Sequence, residues 1–97
     1  MNVEINEYGL NERIRTLRES LKLGRQEFCK IIGKINRQDL QNIELKRQRA
    51  PSWIIEKVAE IYPQYGYWIG TGLEIPEVGQ ISPMTEQARE ELNLKVG

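Results

Sequence analysis

The 97-residue chain has no histidine and a single cysteine, Cys29. Without imidazole there is no Ser–His or Cys–His pair to activate a nucleophile, and a zinc site loses its usual nitrogen ligand. One thiol closes no internal disulfide. No apolar run reaches the roughly 18 residues that a membrane helix needs. The opening MNVEINEYGL lacks a basic stretch followed by an apolar one, so no signal peptide is expected. A phosphate-cradling glycine loop and metal-ligand spacing are also missing. These absences exclude most enzyme chemistries, so no catalytic residue, metal or cofactor is expected, and a cytoplasmic location is. Neither charge sign is in excess: 14 basic and 14 acidic residues cancel. Apolar residues make up 39% and charged residues 29%, the balance of a folded globular chain rather than a disordered one.

The zero net charge hides an uneven distribution. Residues 11–49 hold 11 basic and 5 acidic side chains, a net of +6. Residues 50–97 carry a net of −4, and Glu4 and Glu7 supply the other −2. A basic half beside an acidic half points to a polyanion partner at one end and a different task at the other.

Apolar spacing predicts an all-α fold. Ile14, Leu17 and Leu21 recur at helical spacing, giving a helix over 12–22 with Asn11 as its N-cap. Gly24 then breaks the pattern. A second helix starts at Arg25, turns Phe28, Ile31 and Ile32 inward, and stops at Gly33. Cys29 sits beside Phe28 as a small buried hydrophobe. A third helix, over about 36–45, has Asn36 as N-cap and Asp39 as a shortened capping box. Leu40 and Ile43 face its core side.

The outward set of that third helix is Arg37, Gln38, Gln41 and Asn42. Guanidinium pairs in two places with guanine, and Gln or Asn amides pair likewise with adenine, so these four are the candidate base contacts. After Glu44, the cations Lys46, Arg47 and Arg49 crowd one loop. Phosphate oxygens are their expected partners, joined by Lys34 before the helix and by Arg25 at a helix N-terminus, where anions are favoured.

In order and spacing, Leu17-Arg18-Glu19, Phe28-Cys29, Gly33, Leu40, Ile43-Glu44 and Ala59 resemble the lambda-repressor-like helix-turn-helix family, the XRE or Cro/C1 type. The resemblance spans residues 11–62. It implies a compact four- to five-helix DNA-binding domain that acts as a homodimer on double-stranded DNA in transcription control. The small size looks like the regulators of phage and prophage. It also implies a structural ion pair between Arg18 and the Glu44 that ends the recognition helix; a planar guanidinium grips a carboxylate at two points. The chain departs from the family at Gly24, where Thr or Ser is usual, and at Arg25, where Gln is usual. Lys34 lengthens the turn by one residue.

Beyond the basic half, Pro51 and Ser52 start a core helix with apolar Ile54, Ile55, Val58, Ala59, Ile61 and Tyr62. Trp53 near its start suits a core or rim position. Tyr65, Tyr67, Trp68 and Ile69 form an aromatic group on a short helix ending at Gly70 or Gly72. They serve as a lid on the core or as a subunit interface. Residues 73–83 carry prolines and a glycine without period and predict an extended linker. A last helix, capped by Thr85, aligns Met84, Ala88 and Leu92.

The expected organisation is therefore an arm (1–9), a DNA-binding domain (10–72), and a linker with a C-terminal helix (73–97). The leading expectation is a sequence-specific transcriptional regulator. Two alternatives stay open: an antitoxin-type DNA binder whose tail holds a second protein, and a helical interaction module that has lost DNA binding.

Overall fold

The computed structural model describes residues 7–96, of which side chains are described for 7–94. Of the expected arm, residues 1–6 lie outside the described residues. Among the described residues there are six α-helices and two short 3-10 turns, and the nearest thing to a strand is one antiparallel bridge between Ile75 and Gln80. The helices are α1 (Gly9–Ser20), α2 (Arg25–Ile32), α3 (Arg37–Glu44), α4 (Trp53–Ile61), α5 (Gly66–Thr71) and α6 (Pro83–Val96). None is long and apolar enough to cross a membrane.

Each of the first five helices contributes one buried stripe. Ile14 and Leu17 come from α1, Phe28, Cys29 and Ile32 from α2, and Leu40 and Ile43 from α3. Ile54 and Val58 come from α4, and Trp68 and Ile69 from α5, with Tyr65 of the 3-10 turn beside them. Each Leu, Ile or Phe fully removed from water stabilises the fold by about 1.5–3 kcal/mol, so this shared core outweighs any single surface contact. The helix α4 lies closest to α5. At Gly66 an added Cβ would come within 3.1 Å of the Ala59 methyl, so the missing side chain permits that approach. Burial pushes the Cys29 thiol up, with Glu44 and Asp39 adding to it, so the group stays a protonated filler.

Two helix starts and one inward face differ from the expected ones. Asn11 does not cap α1: the helix begins at Gly9, and Asn11 is turned inward, 1% exposed. Ile31 points out at 38% exposure, and Cys29 takes the inward place beside Phe28. An eight-residue helix has room for only one narrow stripe, and 28, 29 and 32 define it better than 28, 31 and 32. The cap of α6 is Ser82, whose Oγ accepts the Thr85 N–H at 3.2 Å, so the helix starts two residues ahead of Thr85.

Residues 73–83 are not an extended linker. They fold back through the Ile75–Gln80 bridge and a 3-10 turn, Pro76–Val78. Gln80 ties the turn to the body: its Oε1 accepts the Tyr67 N–H at 2.9 Å, and its Nε2 donates to the Pro63 carbonyl at 3.0 Å. Ile81 and Ser82 are buried behind it. Glu74 Oε1 accepts the Ser82 N–H at 2.6 Å. Hydrogen bonding from Thr85, then from Ser82, holds the Glu74 carboxyl below the usual carboxylate range. These bonds reach across the turn to residues up to 17 positions away, which no local pattern announces. From the turn, α6 is anchored by its first residues, with the Tyr65 hydroxyl donating to Glu86. Farther along it leaves a cleft of about 620 Å³ against the end of α1, lined among others by Glu19, Lys22, Glu90 and Leu94.

Candidate nucleic-acid interface

The turn between α2 and α3 is built from two left-handed residues in succession. Gly33 has φ +75° and Lys34 has φ +56°. Gly33 adopts this without penalty, whereas Lys34 carries a Cβ into a region that costs an ordinary residue about 1–2 kcal/mol. The Lys34 side chain stands exposed, while Ile35 drops back onto the core. Asn36 then caps α3, its Oδ1 accepting the Asp39 N–H at 2.8 Å.

With Leu40 and Ile43 fully buried, the opposite side of α3 is determined by helical geometry. Arg37 and Gln38 are exposed, and Gln41 and Asn42 are half-buried beside them. Gln38 Nε2 donates to Asn42 Oδ1 at 3.3 Å, one turn along. That contact aligns two amide planes on one face and leaves the Gln38 carbonyl and the Asn42 amino group available to a partner.

The far end of α3 is held from below. Glu44 has no exposed side-chain surface, and two guanidinium groups reach it. Arg18 Nε donates to Oε2 at 2.7 Å and its second terminal nitrogen donates to Oε1 at 2.8 Å, a two-point grip. Its remaining nitrogen donates to the Leu23 carbonyl at 2.9 Å. Hydrogen bonding to Glu44 raises the Arg18 pKa above its ordinary value, against the opposing effect of burial. Arg25 is the second group, its Nε donating to Glu44 Oε1 at 3.2 Å. Arg25, expected at a phosphate, is here drawn toward the buried carboxylate from the start of α2 through Nε alone, because an acid without full compensation there is costly. One carboxylate thus ties α1, α2 and α3 together.

Past Glu44 the chain turns sharply. The Lys46 N–H donates to the Ile43 carbonyl and the Arg47 N–H to the Asn42 carbonyl, the paired bonds of a Schellman ending. Lys46 occupies the left-handed position, φ +60°, where glycine is usual. Asn11 clasps the loop that follows. Its Nδ2 donates to the Ile43 and Gln48 carbonyls, both at 2.9 Å, and its Oδ1 accepts the Ala50 N–H at 3.3 Å. The sequence signal for this role was weak, since Asn at the head of a helix fits a cap equally well.

The predicted phosphate contacts therefore divide. Lys34, Lys46, Arg47 and Arg49 are exposed at the two ends of α3. Lys46 is paired with Glu12 at 2.7 Å and Arg49 with Glu7 at 3.1 Å. Arg13 of the positive segment is turned toward the body: its Nε donates to the Ile69 carbonyl at 2.9 Å and closes the end of α5, and burial lowers its pKa.

No protein-family model matches this sequence, and no curated protein matches it.

Proposed function

We propose that the chain is a sequence-specific double-stranded DNA-binding regulator of transcription, of the lambda-repressor-like helix-turn-helix type and cytoplasmic, with α3 entering the major groove. The observation that carries the reading is the outer side of α3. It presents one guanidinium and three amides, Arg37, Gln38, Gln41 and Asn42, on a helix whose inner side and last residue are both buried. A solvated helix face with no further task is ordinarily filled with Lys and Glu, whereas this one carries the groups that pair with guanine and adenine edges. Lys34, Lys46, Arg47 and Arg49 at its two ends supply phosphate contacts that set position without reading sequence. One short helix spans few base pairs, so a homodimer on a two-fold site is the expected working form.

Selection of duplexes from a random pool tests this directly; a two-fold consensus supports it, and an unenriched pool opposes it. In the selected duplex, Gln38→Ala should cost about 1–3 kcal/mol at one base pair and leave nonspecific affinity nearly unchanged. A uniform loss on every sequence would remove Gln38 from the reading set.

A second reading, an antitoxin-type binder whose tail holds another protein, has one observation in its favour. Among the described residues, six of the eight exposed large apolar side chains fall within 73–94: Leu73, Ile75, Val78, Met84, Leu92 and Leu94. Sedimentation of the full chain separates the occupants. A dimer that Met84→Glu/Leu92→Glu dissociates assigns the surface to a second copy. A monomer, or a dimer indifferent to the change, leaves it for a different chain.

A further inference from the structure

Two of the four exposed cations at the ends of α3 already hold an anion. Lys46 Nζ lies 2.7 Å from Glu12 Oε1, and a terminal nitrogen of Arg49 lies 3.1 Å from Glu7 Oε2. Both acids come from the start of α1 and the residues just before it, more than 30 positions away in sequence. Their placement follows from the clasp: Asn11, next to Glu12, is bonded to Ile43, Gln48 and Ala50 and pins the head of α1 to the loop. The clasp therefore holds the head of α1, and with it the acids, beside the cations.

We propose that Glu7 and Glu12 form a built-in brake on polyanion binding, an inference that rests on the DNA-binding reading given above. A phosphate reaching Lys46 or Arg49 must displace a carboxylate that stays nearby and repels it. All four groups are about half-exposed or more, so each pair is weak and exchanges readily. The device consequently lowers sequence-independent affinity without blocking the loop. Arg37, Gln38, Gln41 and Asn42 are untouched by it, so base reading is preserved while nonspecific attachment is reduced. For a small regulator facing a large excess of nonspecific DNA, that shift improves the ratio on which site finding depends.

The test compares the full chain with Glu7→Gln/Glu12→Gln by titration into a random-sequence duplex over a range of salt. A control, Glu77→Gln/Glu90→Gln, makes the same change in net charge at exposed positions of the acidic half. The first variant should bind about two- to tenfold more tightly than both the wild type and the control at low salt, with the advantage narrowing as salt rises. Adding Lys46→Gln should abolish the part of the gain owed to Glu12. A first variant no tighter than the control overturns the brake and leaves the DNA-binding reading standing. A wild type and variant both inert toward duplex at low salt overturn the two together.

Discussion

Replacing Glu44 with alanine lowers the unfolding free energy by about 3–5 kcal/mol, the range for removing one partner of a buried ion pair. The loss has two sources. Arg18 is only 13% exposed, and after the substitution its guanidinium keeps the Leu23 carbonyl but loses both carboxylate oxygens. Arg25 loses its inner partner as well. The three-helix tie then opens and the end of α3 is no longer held. Urea denaturation at neutral pH measures the effect. Arg18→Met/Glu44→Leu supplies the contrast: the more buried guanidinium is removed with the carboxylate and only Arg25, 26% exposed, loses its partner, so most of the lost stability returns, as replacing a buried pair by apolar groups of similar volume often permits. A Glu44→Ala loss under about 1 kcal/mol would place the cluster with ordinary surface pairs.

Asn11→Ala carries the second large effect, a loss of about 2–4 kcal/mol. The Gln48 carbonyl loses its donor and the Ala50 N–H its acceptor in a part-buried setting, while the Ile43 carbonyl keeps the Lys46 N–H; each buried polar group left unpaired costs about 1–3 kcal/mol. Substitution by Asp distinguishes bonding from bulk. Asp keeps the shape and the acceptor yet cannot donate to either carbonyl, so it should be no better than alanine. Equal stability of Asn11→Asp and the wild type in thermal melts would contradict the clasp. Hydrogen exchange should also rise over residues 45–50, because that loop has few apolar contacts to hold it once the bonds are gone.

Both residues show where local pattern stops informing. Glu44 was legible as a partner of Arg18 only through the family resemblance, and nothing in its spacing announced Arg25. Asn11 has the chemistry of a cap and stands where a cap fits. Its real partners lie 32 to 39 residues away, so its role became visible only when α1 and the loop were brought together. The paired acids Glu7 and Glu12 were invisible for the same reason. The fold of the 73–83 segment is not legible locally, because its order comes from single hydrogen bonds to the body, mainly through Gln80, rather than from an apolar period.

By itself the sequence determined the helices, most of their inward residues though not Ile31, and the polar outer side of α3. Those depend on spacing within a few residues, and a 3.6-residue period assigns faces before any packing occurs. Only the tertiary structure decided which charges are internal ties, which stand exposed beside α3, and which are already neutralised. Charge pairing depends on distance in space, and residues far apart in the chain acquire that distance only when the helices close on one core.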